Sequence, residues 1–217
     1  MKEYNDNYYG FARAEMLDFL PKNAKKILDI GCGNGNFGKV AKEQLTKTEV
    51  YGIEPIEKAE KKAKEILDKT FCGLFNEELV HKHFQNTRFD AIFFNDVLEH
   101  IAEPWDTLKL ASSILSKDGY IIASIPNILY YYEFIDMLKS KDWKYKDGGI
   151  FDITHLRFFT KKSIKRLFEE TGFEIVQMNG LHPLKSKKFE LLNLLTLKKY
   201  DEMRYMQWGV KARIKKR

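Results

Sequence analysis

Asp29, three alternating glycines and Glu54 are the residues of this chain best spaced to hold a polar ligand. His100 and His155 are those best suited to move a proton. The run Ile27-Leu28-Asp29-Ile30-Gly31-Cys32-Gly33-Asn34-Gly35-Asn36-Phe37 passes from a short apolar stretch, through an acid, into glycines at every second position. That pattern is a buried parallel strand breaking into a glycine-rich turn and handing over to a helix. Glycines there let a ligand approach the backbone and sit near the N-terminal end of the next helix. Glu54 follows about twenty residues later, at the end of a second apolar run, where a carboxylate can accept hydrogen bonds from both hydroxyls of a ribose. Read as a dinucleotide loop, G-x-G-x-x-G, the third glycine would fall at Asn34 or Asn36, which do not fit.

Proton transfer near neutral pH points to histidine. Of the five histidines, His81 and His83 lie on a polar helical stretch and His182 in a late basic region. His100 closes Asp96-Val97-Leu98-Glu99-His100 and reads either as a proton acceptor or as a structural part of the ligand pocket. His155 lies in Phe151-Asp152-Ile153-Thr154-His155-Leu156-Arg157-Phe158-Phe159-Thr160. There Asp152, Thr154, His155 and Arg157 put a base, hydrogen-bonding groups and an anion-binding guanidinium close together. The competing use is local: His155 and Arg157 pin a loop to the sheet while Thr160 caps the next helix. No metal is expected, because Cys32 and Cys72 lack a metal-binding spacing and Asn95 with Asp96 supplies too few hard oxygen ligands.

These residues need a scaffold, and the periodicity supplies one. Strands are predicted over residues 27–30, 49–53, 70–72, 88–94, 120–124, 173–178 and 205–214, with a turn at 117–119. Helices are predicted over 8–20, 37–45, 59–67, 75–84, 105–115, 129–138, 161–170 and 189–197. Strands alternating with helices of this length give a doubly wound, mostly parallel seven-stranded α/β sheet with helices on both faces. Ligands in such sheets lie beyond the carboxyl ends of the strands, where Asp29, Glu54, Asn95, Asp96 and Asn127 collect. Residues 127–160 break the rhythm, as a lid or acceptor-binding insertion would. Residues 1–22 read as a helical cap and 181–204 as a second helical insertion, all within one domain of 217 residues.

Composition narrows the class. With 44% hydrophobic residues the chain can bury one good core, and no apolar stretch is long enough to span a membrane. The polar, acidic N-terminus is not a secretory signal, and the absence of a disulfide framework points to a reducing cytoplasm. The formal charge of +6 is uneven: the tail Lys211-Ala212-Arg213-Ile214-Lys215-Lys216-Arg217 holds five positive charges, and Lys185, Lys187, Lys188, Lys198 and Lys199 bracket a late apolar run. Such patches serve as solvated surface or as peripheral membrane contact, but no dedicated nucleic-acid module accompanies them. Oligomeric state stays open.

The form D-x-G-C-G-x-G resembles motif I of class I S-adenosylmethionine-dependent methyltransferases. The likeness extends to Val50-Tyr51-Gly52-Ile53-Glu54-Pro55, to the fourth-strand segment from Phe89 to His100 seen in UbiG-like and glycan-associated branches, and to Leu115-Ser116-Lys117-Asp118-Gly119-Tyr120-Ile121-Ile122. It implies a Rossmann-like fold, S-adenosylmethionine as cofactor and S-adenosylhomocysteine as product. Carried over, it sets the methionine portion against Asp29, Gly31, Cys32, Gly33 and Gly35, with Asn95, Asp96 and Val97 lining that end. Glu54 takes the ribose beside Pro55 and Ile56, and Leu74 lies near the adenine. Tyr8, Tyr9 and Arg13 of the opening helix either cover the cofactor, with Arg13 available to pair with its carboxylate, or belong to a cap that only shields the sheet edge. The resemblance further implies a sugar or glycan-intermediate hydroxyl as acceptor, met by Tyr131 and Thr154, and Arg157 with the nearby lysines would suit a phosphorylated or nucleotide-linked one. The aromatic set Tyr130, Tyr131, Tyr132, Phe134, Trp143 and Tyr145 reads as a stacking surface for a sugar or quinone, or as lid core. Two other readings stand beside this one: a cofactor-binding partner without turnover, and an RNA or protein methyltransferase. Against the last, Asn95-Asp96-Val97-Leu98 stands where an N-P-P-Y/F motif is expected.

Overall fold

The computed structural model describes residues 12–45 and 47–216. Seven strands form one sheet: β1 (Lys26–Ile30), β2 (Glu49–Glu54), β3 (Lys69–Cys72), β4 (Phe89–Asn95), β5 (Leu115–Pro126), β6 (Phe173–Pro183) and β7 (Tyr205–Ile214). Their order is β3-β2-β1-β4-β5-β7-β6. β7 is antiparallel to both neighbours, and the other pairings are parallel. The helices are α1 (Asn36–Gln44), α2 (Glu57–Lys64), α3 (Glu77–Phe84), α4 (Pro104–Ser113), α5 (Tyr131–Ser140), α6 (Lys161–Glu170) and α7 (Lys187–Leu195).

Alternation along the strands divides the core into two layers. Ile27, Phe93 and Ile122 face one side, where they meet Phe19, Phe37 and Ala41 of α1 and Ala63 of α2. Leu28, Ile92, Phe94 and Ile121 face the other, against Phe84 of α3, Leu108 of α4 and Leu167 and Phe168 of α6. Both faces are therefore dry, which is why β1 and β4 are apolar runs with few polar interruptions. Helix starts follow local chemistry: the Asn76 side chain accepts from the Leu79 amide, Pro104 opens α4, and Thr160 with Ser163 forms a capping box before α6. Because β1 lies between β2 and β4, the winding reverses beside it, the point in such a sheet beyond whose carboxyl ends a ligand binds.

Four expectations change. The opening helix predicted over 8–20 is, where described, a 3-10 helix over Ala14–Phe19; Leu20 is extended, as a residue before Pro21 prefers. Residues 8–11, with Tyr8 and Tyr9, lie outside the described residues. The turn predicted at 117–119 is part of β5, which pairs with Phe89 through Leu115 and resumes its register at Ala91 after an irregularity. A Cβ on Gly119 would stand 2.9 Å from the Phe89 carbonyl, so this close approach, rather than a turn, uses the glycine. β6 continues to Pro183 because β7 supplies partners along it, so the insertion predicted over 181–204 is left with residues 184–204. The aromatic helix predicted from residue 129 begins at Tyr131, since Asn127 Oδ1 first accepts from the Leu129 amide in a turn. Part of the basic tail is also structural: Lys211 lies over the Tyr120 ring and Arg213 pairs with Glu174 at 2.5 Å.

Candidate active site

The glycine loop leaves β1 with Gly31, Gly33 and Gly35 all at positive φ (72°, 53° and 82°). Only glycine takes such a sequence of angles without strain. Space is equally tight, for a Cβ on Gly31 would lie 2.8 Å from Val97 Cγ2. The Gly31 and Cys32 amides donate to the Ile53 carbonyl at 2.8 and 3.1 Å, lacing the loop to the end of β2. Cys32 is the small buried residue that Gly52 accommodates, and burial pushes its thiol up, away from reactivity.

Glu54 is buried at the end of β2 with its carboxylate turned back to the loop. Oε2 accepts from the Gly33 amide and Oε1 from the Ile56 amide, each at 2.9 Å. Burial raises its pKa, and the two amides act against that rise. Asp29 is buried too. Desolvation carries its pKa up to about 8, with the Glu54 charge adding and the Asn95 side chain opposing. Asp29 Oδ1 and both polar atoms of Asn95 are buried with no hydrogen-bond partner among the described residues. Polar atoms so placed are costly unless a ligand meets them.

Past β4, Asp96 adopts φ 55° and becomes the centre of a network. Its Oδ1 accepts from Ser124 Oγ at 3.0 Å and from Gln207 Nε2 at 2.6 Å, and Arg13 pairs with Oδ2. Arg13 Nη1 also donates to Gln207 Oε1 at 2.8 Å. The guanidinium expected on a cofactor carboxylate is thus engaged by Asp96 and Gln207, because Asp96 gives it a fixed charge partner.

A second group follows on the 3-10 helix Leu98–His100. Here His100 meets Thr154 and His155, brought back by the connection between α5 and α6. His155 Nδ1 lies 2.9 Å from the Ile150 carbonyl, which can only accept, so Nδ1 carries the proton and Nε2 keeps its lone pair. His100 Nδ1 faces the Thr154 carbonyl and hydroxyl at 3.3 and 3.1 Å, and that hydroxyl donates to Asp152 Oδ1 at 2.7 Å. His100 therefore also keeps Nε2 available. The two rings meet edge to face at 4.7 Å. Burial lowers both histidine pKa values, favouring neutral imidazoles. Glu99, 1% exposed, has both carboxylate oxygens without a hydrogen-bond partner among the described residues. Burial, with Asp96 adding, drives its pKa well above the carboxylate range. One ligand atom from each of Glu99, His100 and His155 lies within 4.8 Å of the others, a spacing that can hold a divalent cation.

The remaining expected residues are dispersed. Pro55 and Ile56 flank Glu54 at the mouth and Val97 abuts Gly31. Leu74 is 66% exposed at the outer rim. Tyr131 packs on Phe189 at 5.0 Å, as lid core rather than an open stacking surface. Arg157 Nε donates to the Ala102 carbonyl at 2.8 Å and Nη2 reaches Glu103 at 3.2 Å, so the guanidinium braces the segment after His100. Sequence reasoning missed Glu99 and Gln207 as site residues. Adjacency to His100 was the available signal for Glu99; Gln207, far along the chain on β7, offered none.

A family model described as a methyltransferase domain matches residues 1–178. The chain belongs to that methyltransferase family. Its fold is that of the class I, S-adenosylmethionine-dependent enzymes. It is 27% identical, over 73% of this chain and 67% of the relative, to a ubiquinone biosynthesis O-methyltransferase of Vibrio parahaemolyticus. Relatives of that name match over shares of their own length from 43% to 73%. Among solved structures it resembles a SAM-dependent methyltransferase from Archaeoglobus fulgidus (TM-score 0.64, 19% identity, 95% of this chain and 93% of that one). It also resembles the plantazolicin methyltransferase BamL, solved with a triazolic desmethylPZN analog and SAH (TM-score 0.65, 17% identity, 97% and 88%). In this methyltransferase the glycine loop and the histidine pair lie past the ends of adjacent strands, β1 and β4.

Proposed function

We propose that this methyltransferase binds S-adenosylmethionine between the glycine loop, Asp29, Glu54 and Asn95, and methylates a hydroxyl of a small molecule held at His100 and His155. The observation that carries the cofactor reading is the buried, unpartnered set of Asp29 Oδ1 and the Asn95 amide beside an open glycine turn. Those atoms suit the ammonium and carboxylate of the methionine portion, and Glu54 suits the ribose diol. Gly31, Cys32 and Gly33 line the approach, with Asp96 and Val97 behind them and Leu74 at the adenine rim. Bound there, the cofactor supplies an activated methyl group on a sulfonium.

The chain's own task is to align the acceptor oxygen and take its proton. His155 Nε2 is the receiving atom: its Nδ1 proton is committed to Ile150, and burial keeps the ring neutral. His100, its own ring set by Thr154, packs edge to face on His155 and holds that ring in place. Glu99, whose burial favours the neutral acid, lies beside both rings without a hydrogen bond to either, and its ionised form would complete a three-ligand cation site with them.

The acceptor we infer is a sugar or glycan-biosynthesis intermediate, supported by the exposed Tyr132, Trp143 and Tyr145 on the lid, which can stack on a sugar face. A second reading, a phenolic ring, is favoured by the ubiquinone O-methyltransferase name of its relatives. Binding of S-adenosylhomocysteine by calorimetry tests the first half; weaker binding in Asp29→Ala and Glu54→Ala is expected. Release of S-adenosylhomocysteine with nucleotide sugars, lipid-linked glycans and polyprenyl catechols tests the second. Methyl transfer to RNA or protein instead would overturn it.

A further inference from the structure

Helix α7 and the turn after it carry a run of exposed leucines, and nothing in the proposed reaction uses it. Of its nine residues only Phe189 and Asn193 are buried. Leu191, Leu194 and Leu195 are 59%, 66% and 74% exposed, and Leu197 is 92% exposed. A patch of that kind on one short element is unusual on a monomer's surface. The backbone works to present it: Leu197 and Lys198, neither of them glycine, both sit at positive φ (50° and 60°). The turn they form closes the helix end, with the Lys198 amide on the Asn193 carbonyl at 2.7 Å, and leaves Leu197 in solvent.

Charge frames the patch. Lys185, Lys187 and Lys188 precede the leucines and Lys198 and Lys199 follow, all exposed. The nearby acids are already paired: Glu190 with Arg204 at 3.0 Å, and Asp201 with Arg204 at 2.9 Å and the Asn193 amide at 2.9 Å. The face presented outward is leucine edged by lysine. Among the described residues no helix is long and apolar enough to cross a bilayer, and the nine residues of α7 reach only about 14 Å.

We propose that α7 and residues 196–200 dock this protein on an anionic phospholipid surface, the leucines entering the boundary between head groups and acyl chains and the lysines meeting the phosphates. The chemistry fits that occupant better than a second copy, whose identical patch would oppose five lysines to five lysines. The docked element is also tied to the site region. Phe189 of α7 packs with Tyr130 and Ile150 of the lid, and Ile150 holds His155 through its carbonyl. Membrane contact on α7 therefore bears on the lid without altering the glycine loop.

Flotation with unilamellar vesicles of phosphatidylcholine alone, or with roughly 30% phosphatidylglycerol, tests this on the whole chain. Binding at least about tenfold stronger to the anionic vesicles, weakened by high salt, is expected. The triple variant Leu194→Ser, Leu195→Ser, Leu197→Ser changes only exposed side chains; its thermal transition should match the parent while anionic-vesicle binding falls at least about tenfold. A variant carrying Gln at Lys187, Lys188, Lys198 and Lys199 should lose the preference for anionic lipid. Equal binding to both vesicle types, or parent-level binding by the triple variant, would overturn the proposal. So would a parent dimer that the triple variant dissolves, with no vesicle binding by either, which would assign the patch to a second copy. S-adenosylhomocysteine binding, measured in the same variants, should stay unchanged and so separates this proposal from the cofactor reading.

Discussion

The proposed cofactor pocket and the histidine cluster are neighbours built in opposite ways. The pocket is largely backbone: the Gly31 and Cys32 amides on Ile53, and the Gly33 and Ile56 amides on Glu54, all at the ends of adjacent parallel strands. The cluster is side chains on irregular segments, the 3-10 helix Leu98–His100 meeting Thr154 and His155 from beyond the lid. The Leu156 and Arg157 amides, both donating to the Glu99 carbonyl, hold the segments together. A backbone pocket in a sheet is rigid and serves any member of the fold. A cluster hung on a long connection can be refitted to another acceptor by changing that connection alone. The contrast predicts that substitutions in the two regions separate binding from turnover.

The largest effect is expected at His155. Alanine there should lower turnover by about 10²–10⁴, the range of a general base, while S-adenosylhomocysteine affinity holds within a factor of about two. Single-turnover kinetics and calorimetry on the same variant check it; a fall of less than tenfold would move the role to His100. Chelation sharpens the result. Turnover that survives EDTA keeps Glu99, His100 and His155 as proton-handling groups, whereas loss restored by added Mn²⁺ or Zn²⁺ makes them ligands.

Next comes Glu54→Ala. It removes acceptors for the ribose and leaves the Gly33 and Ile56 amides unmet, so S-adenosylhomocysteine should bind more weakly by about 2–4 kcal/mol. Activity at saturating cofactor should recover. If turnover stays low at saturation, the pocket and the cluster are coupled and the division fails.

Asp29 gives a subtler signature. Its pKa in the free protein is about 8, so at pH 7 it is mostly protonated. Pairing with a ligand ammonium requires the ionised form, and binding should therefore release close to one proton. Calorimetry in buffers of different ionisation enthalpy measures that number, and Asp29→Asn should abolish it. The same raised pKa sets a stability trend. A carboxyl harder to ionise in the fold than in the unfolded chain weakens the fold as pH rises from about 4 through about 8, so the free protein should lose stability across that window.

The division also explains what the residues alone could tell. β1, β2 and β4 are apolar runs ended by an acid or a polar pair, and the glycine loop is dictated by backbone angles, so fold and pocket were legible locally. β7 was equally plain, an alternating run bounded at Tyr205 and Ile214. The reach of β6 to Pro183 was not, because it depends on β7 offering partners. The 3-10 form of Ala14–Phe19 depends on Pro21 and on packing against the sheet. Glu99 looked like one more acid of a polar motif, and its burial without a partner appears only when His155 returns over it. The Asp96–Gln207 contact joins residues 111 positions apart, a distance no spacing rule covers.

The smallest expected effect concerns Arg157, which joins the two halves of the cluster. Its guanidinium donates to the Ala102 carbonyl and reaches Glu103, half in solvent, and lies over the Trp105 ring at 5.9 Å. Removing one such brace should cost about 1 kcal/mol of stability, because its partners can turn to water. Locally the loss should be larger, since the Leu156 and Arg157 amides rely on the same segment to keep His155 over His100. Hydrogen exchange in Arg157→Ala should thus quicken at residues 98–103 and 154–158 and stay unchanged at residues 29–35 and 52–56. Arg157→Lys keeps the charge but not the fork and should show the same pattern in weaker form. Acceleration at the glycine loop would mean that the brace supports the whole crevice, and the pocket and the cluster would have to be treated as one unit.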